Sequence, residues 1–178
     1  MGACPHRNRS TDMDYPKRKY PRLKKYDYRL PGYYYITIHA YKDSPALSFI
    51  QKGSPEKRAE VMLTKQGHIA QQQLLALQQR YDNLKVDKYV IMPTHIHIIF
   101  QLLHTQRTLE SSPSIPSIVG TYKSITTRAI NQACNTPGRK LFQTSFFDSV
   151  LRSEKAYQEC WLYIDRNPDK WSMQPDDL

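Results

Sequence analysis

Two short runs of this 178-residue chain carry side chains that can hold a metal ion or attack phosphorus. In "MPTHIHIIF", residues 92–100, His95 and His97 stand one residue apart in an otherwise apolar stretch. Side chains alternate across a strand, so His95, His97 and Ile99 share one face while Ile96, Ile98, Phe100 and Leu102 share the other. The wholly apolar face is the one that must meet the helices. Both imidazoles are thereby left on the opposite face, about 7 Å apart at the backbone. Two neutral imidazoles placed so make half of a divalent metal site, with room for an oxygen ligand and a substrate phosphate. H-x-H on its own arises often by chance, and two structural histidines are its default explanation.

The second run is "YIDRN", residues 163–167. Tyr163 and Asn167 are four apart and so share a helical face, one turn from each other. Asn167 offers a neutral carbonyl oxygen as a third ligand. The Tyr163 phenol, with an ordinary pKa of about 10, is a poor nucleophile at neutral pH unless the electrophile is polarised and positive charge lies nearby. A metal held by His95, His97 and Asn167 supplies that polarisation if the electrophile is a phosphate of a nucleic-acid backbone. Taken alone, this helix is explained equally well by Tyr163 as an amphipathic core residue and Asn167 as a stop before Pro168. Tyr157 is the competing nucleophile, but its six-residue offset turns it about 240° away from Tyr163 on a helix. Its i+4 neighbour is Trp161, which offers no ligand oxygen.

The elements that must position these residues can be read from pattern. "YYYITIHAY", after the turn signal Pro31-Gly32, is a dense β-former run and a first strand. His39 lies in it without an assigned role. Residues 43–69 carry turn signals and short apolar pieces. "IAQQQLLALQQRYDNL" spaces Ile69, Leu74, Leu75, Leu77 and Tyr81 as a helix does. "VDKYVIMP" and "HIHIIFQLL" form a hairpin joined at Pro93-Thr94. After a Ser/Pro-rich loop, "IVGTYKSITTRAINQA" places Ile118, Tyr122, Ile125, Ala129 and Ile130 on a helical stripe, with Lys123 on its wet side. "LFQTSFFDSVL" is a short strand, and "SEKAYQECWLYIDRN" a last helix, capped by Ser153 and stopped by Pro168. This order fits a ferredoxin-like α+β sandwich: an antiparallel sheet with helices on one face, and an additional C-terminal helix carrying the tyrosine.

Charge points to a polyanionic partner. The net charge is +10, and residues 1–30 hold nine Lys and Arg against three Asp. A surface this basic attracts nucleic acid through long-range fields and counterion release. Residues 1–27 read as a flexible basic arm and residues 28–178 as a single catalytic domain. Within "PRLKKYDYRLPG", cations interleave with Tyr26 and Tyr28, a mixture suited to phosphate contact and base stacking. Arg22, Lys24, Lys25, Tyr26, Lys123 and Arg152 are the candidate DNA contacts, although a solvated tail and a solvated Lys123 explain the same residues. No segment has the roughly 20 apolar residues of a spanning helix, and no apolar signal region opens the chain, so a cytoplasmic location is expected. Cys4, Cys134 and Cys160 match neither a disulfide framework nor a zinc spacing.

The phrases "RLKKYDYRLPGYYYITI", "YVIMPTHIHIIF", "TYKSITTRAIN" and "FQTSFFDSVLRSEKAYQECWLYIDRNPDKW" together make the chain resemble the single-tyrosine HUH transposases, most closely the REP-associated tyrosine transposases. The resemblance implies the ferredoxin-like HUH core and metal-dependent breakage and joining of single-stranded DNA. It implies that Tyr163 attacks the scissile phosphate to give a 5′-phosphotyrosine and a free 3′-hydroxyl. His95 and His97 would hold Mg²⁺ or Mn²⁺, with Asn167 where relatives carry a third polar ligand, often Gln. Palindromic hairpins are the implied substrates, and no nucleotide cofactor is needed. A homodimer with shared sites and a self-sufficient monomer both remain open. Two positions depart from the pattern: Thr94 replaces the usual Asn before the histidines, and Ser149 stands where many relatives have His. A non-catalytic nucleic-acid-binding module of ferredoxin-like fold and a metal-dependent phosphoesterase are the competing readings.

Overall fold

The structure is a computed structural model and describes residue 23 and residues 25–54, 56–105 and 112–173. Four strands form its main sheet: β1 (Gly32–His39), β4 (Leu84–Ile91), β5 (His95–Leu102) and β6 (Phe147–Leu151). Their spatial order is β4-β5-β1-β6, with every neighbouring pair antiparallel. With α1 (Lys65–Arg80) and α2 (Ile115–Cys134) as the connections from β1 to β4 and from β5 to β6, this is the ferredoxin-like arrangement.

The apolar faces dictate the layers. Ile96, Ile98, Phe100 and Leu102 of β5 join Tyr34, Ile36 and Ile38 of β1 in one buried cluster with Leu74 and Leu77 of α1 and Ile118, Val119 and Tyr122 of α2. The other face of the same strands carries Tyr35 and Ile99, which pack with Cys160, Tyr163 and Ile164 of α3 (Glu154–Ser172). The sheet is therefore covered on both sides, and α3 lies over the histidine face.

Three features differ from the sequence expectation. Residues 43–69 contain a second, two-stranded sheet of β2 (Ser48–Gln51) and β3 (Glu60–Leu63). Strands of four residues are too short to show a period of two above the surrounding turn signals. The same region starts α1 at Lys65, earlier than the apolar stripe alone suggests, because Thr64 caps it by accepting the Gly67 N–H at 3.1 Å. Gly67 packs directly on the β2 side: a Cβ there would fall 1.9 Å from the Leu47 carbonyl oxygen. The last helix also does not stop at Pro168 but runs through it to Ser172. A proline inside a helix costs on the order of 3 kcal/mol, and tertiary contacts beyond it offset that cost. Among the described residues, no helix is long and apolar enough to cross a membrane.

Candidate active site

The register of β1 against β5 brings three histidines to one face. His39 pairs with His95 and Thr37 with His97, directly across the strands, and Tyr35 faces Ile99 one step further on. His95 and His97 have ring centroids 4.6 Å apart, and His39 lies 5.5 Å from His95. His97 is fully buried and His95 almost so.

Nδ1 of both His95 and His97 meets a hydroxyl. Nδ1 of His97 lies 2.8 Å from the Tyr35 hydroxyl and 2.9 Å from the Thr37 hydroxyl. Nδ1 of His95 lies 3.2 Å from the hydroxyl of Thr94. Burial first, then the neighbouring His95 and His39, push the His97 imidazole well below its ordinary pKa, so the ring is neutral at neutral pH. Its Nε2 is buried and has no hydrogen-bond partner. With Nδ1 protonated and donating to Tyr35 or Thr37, Nε2 is a bare lone pair, the form in which imidazole ligates metal. Leaving a buried acceptor unsatisfied costs about 1–3 kcal/mol, and a divalent ion would satisfy it.

The residues of α3 complete the roof. The Tyr163 ring stands edge-on to His97 with centroids 5.3 Å apart, and edge-on to Tyr35 at 6.3 Å. Two turns along, Trp171 lies 5.8 Å from His95. Asn167, buried at 7 % exposure, sits between these two on the same helical face. Tyr163, Asn167 and Trp171 thus span the histidine pair at i, i+4 and i+8. Among the described residues no group of three His, Cys, Asp or Glu is placed to hold an ion. An amide oxygen such as that of Asn167 is a donor of another type that could complete a set with the two imidazoles. The Lys170 ammonium lies 4.8 Å from the centre of the Tyr163 ring, placing a cation beside the phenol.

Tyr157 is elsewhere. Its hydroxyl donates to Asp87 at 2.8 Å, its ring packs on Tyr33 at 4.8 Å, and burial together with Asp87 pushes its pKa up to about 12. Asp87 is available for this because β4 carries an irregularity between Val86 and Lys88 that shifts the pairing with β5.

The candidate DNA contacts are scattered. Arg22 and Lys24 lie outside the described residues, as does most of the basic arm. Lys25 is exposed, in a left-handed conformation with φ 66°. Tyr26 packs edge-on to Tyr28 at 5.1 Å, so the packed domain reaches back into the arm drawn at 1–27. Arg152 places its guanidinium 5.5 Å from the Tyr26 ring. Tyr28 is a core residue rather than a stacking platform, since it is 7 % exposed and donates to the buried Asp148 carboxylate at 2.6 Å. Lys123 is engaged with the chain itself, donating to the backbone carbonyls of Gln143 and Thr144 ahead of β6. Ser149 stands across from Tyr35, on the face that α3 covers.

Sequence reasoning passed over Tyr35, Thr37, Lys170 and Trp171. The first two read only as β-formers, because a register cannot be assigned before the strands are paired. The other two continue the Tyr163 and Asn167 face at i+7 and i+8, but lie beyond Pro168, where the sequence signals a helix end.

The chain matches the family model described as "Transposase IS200 like" over residues 54–167. It is 26% identical over 171 residues to an uncharacterized protein of Haemophilus influenzae, covering 88% of this chain and 91% of that one. Its fold is similar to the solved structure of a REP-associated tyrosine transposase bound to a REP hairpin, with a TM-score of 0.55 and 17% identity, over 84% of this chain and 73% of that one. The family match spans well over half of the chain and takes in His95, His97, Tyr163 and Asn167 together, so the chain belongs to the single-tyrosine, IS200-like transposase family, enzymes of the transposase and nuclease type.

Proposed function

We propose that this protein is a metal-dependent transposase and endonuclease of single-stranded DNA that cuts and rejoins strands at hairpin-forming palindromes through a 5′-phosphotyrosine intermediate. The observation that carries the reading is the edge-on packing of Tyr163 of α3 against His97 of the same chain, whose Nε2 is buried without a hydrogen-bond partner.

His95, His97 and Asn167 would hold Mg²⁺ or Mn²⁺, which when bound polarises the scissile phosphate and neutralises part of its charge. The chain's own residues do the rest. Tyr35 and Thr37 hold the orientation of His97 through Nδ1, and Thr94 does the same for His95. Lys170 sets a positive charge beside the phenol, favouring the negative charge that develops on its oxygen. Attack by the Tyr163 oxygen forms the bond to phosphorus while the bond to the 3′ oxygen breaks. The phenol proton passes to water, and the released 3′ oxygen takes one up. Reversal by a 3′-hydroxyl restores the tyrosine. One phosphodiester is exchanged for another in each direction, so no nucleotide cofactor enters.

Tyr163 lies over the histidines of its own chain, which supports cleavage in cis by a single chain rather than exchange of tyrosines in a homodimer. The hairpin-bound relative and the net charge of +10 support DNA hairpins with single-stranded flanks as partners.

The test incubates the protein with a pool of 3′-labelled hairpin oligonucleotides and Mn²⁺, then denatures the mixture. A covalent protein–DNA band that is abolished by a chelator and by Tyr163→Phe is the expected result. Cleavage without such a band would favour a hydrolase that activates water. Tight binding with neither cleavage nor adduct would favour a non-catalytic binding module.

A further inference from the structure

The C-terminal half of α3 is tied to a loop that has no part in the chemistry. Arg58, in the connection between β2 and β3, reaches across to two carboxylates of the tyrosine helix. Its Nη1 donates to Asp165 at 2.8 Å, its Nε and Nη2 to Asp169 at 2.9 and 2.8 Å, and its Nη2 also to the Asp165 carbonyl at 2.6 Å. The Ala59 N–H adds a bond to the other Asp169 oxygen at 2.9 Å, and Lys88 of β4 binds the remaining Asp165 oxygen at 2.8 Å. The Lys88 ammonium also sits 3.7 Å from the centre of the Trp161 ring.

These contacts straddle the weakest point of the helix. Pro168 has no N–H to give to the carbonyl four residues back, and a proline at such a place kinks or breaks a helix. Asp165 lies before it and Asp169 after it. Asn167, Lys170 and Trp171, which roof the histidines, lie at or beyond the break, whereas the N-terminal part of α3 is anchored separately by its Ser153 cap and by Cys160 and Ile164 in the core.

We propose that Arg58 is a positioning residue for strand cleavage: the β2–β3 loop splints the tyrosine helix across Pro168 through Asp165 and Asp169, and so holds Tyr163, Asn167 and Lys170 in register over His95 and His97. The proposal rests on the reading of Tyr163 as nucleophile. The loop is shaped for the task. A Cβ on Gly53 would fall 2.2 Å from the Lys57 carbonyl and 2.8 Å from the Ala59 nitrogen, so the tight path that presents Arg58 admits only glycine there. The splint orients more than it stabilises, because the Arg58 side chain is 57 % exposed and exposed ion pairs contribute little to global folding.

The experiment compares wild type, Arg58→Ala, Arg58→Lys and the charge exchange Arg58→Asp with Asp169→Arg. Amide hydrogen exchange of residues 165–172 is read in the free protein, and the single-turnover rate of adduct formation is read at saturating 3′-labelled hairpin DNA. Arg58→Ala is expected to raise exchange across 165–172 while leaving β1 and β5 unchanged. It should also slow adduct formation on the order of tenfold to a hundredfold, with DNA affinity and melting temperature held. Arg58→Lys should fall between, and the charge exchange should recover part of the rate. Unchanged exchange at 165–172 in Arg58→Ala would overturn the splint, as would altered exchange with an unchanged adduct rate. If wild type forms no adduct at all, the reading of Tyr163 fails, and the exchange data still decide whether Arg58 holds the helix.

Discussion

The hydroxyls around the two imidazoles define what the histidines can do. Tyr35 and Thr37 share Nδ1 of His97, and when that nitrogen carries the proton Nε2 is left as a bare lone pair. Tyr35→Phe and Thr37→Val should each lower Mn²⁺ affinity, with the double variant reaching about 10- to 100-fold, as measured by titration followed by electron paramagnetic resonance. An unchanged affinity in the double variant would mean that the hydroxyls do not act on the ligand nitrogen. Thr94, which replaces the Asn expected from the resemblance, reaches Nδ1 of His95 with its hydroxyl. His97 also makes stability depend on pH. Burial holds its folded pKa well below the unfolded value, so between the two the unfolded chain binds more protons. Its contribution is complete above about pH 6.5 and is lost as pH falls below that value. Urea midpoints measured across this range in metal-free protein should drop on acidification, and His97→Gln should flatten the drop.

At the scale of elements, the histidine strand and the two large helices follow from patterns that a sequence displays openly. β5 has a wholly apolar face, and α1 and α2 have long stripes, so the buried faces could be assigned before any coordinates, although Leu75, placed on the α1 stripe, is exposed. The β2–β3 sheet could not, because four-residue strands in turn-rich sequence give no period to detect. The end of α3 was misread for a different reason. A proline's local cost is visible in sequence, but the Arg58 and Ala59 bonds that hold the helix beyond it come from residues more than 100 positions away. The same non-locality hid Tyr35 and Thr37, whose role exists only once β1 and β5 are in register. The start of α3 is a local matter and testable as such. The Ser153 hydroxyl accepts the Ala156 N–H at 3.2 Å, and Ser153→Ala should cost about 1 kcal/mol, read as a fall in denaturation midpoint. No loss would show that packing of Cys160 and Ile164 alone sets the helix start.

For the whole molecule, a sheet covered on both faces separates folding from chemistry. One face builds the main core with α1 and α2, while the other is given to α3 and the site. Because α3 lies on its own sheet, a single chain carries Tyr163 and the histidines together. Adduct formation should be first order per chain and independent of protein concentration, and mixing Tyr163→Phe with His97→Ala chains should restore nothing. Recovery in the mixture would establish exchange of tyrosines between chains. The most direct measurement is to digest the covalent protein–DNA product and locate the nucleotide by mass spectrometry. The account predicts a phosphodiester on the oxygen of Tyr163 and no adduct in Tyr163→Phe. A nucleotide on Tyr157, or an adduct that persists without the Tyr163 hydroxyl, would contradict it.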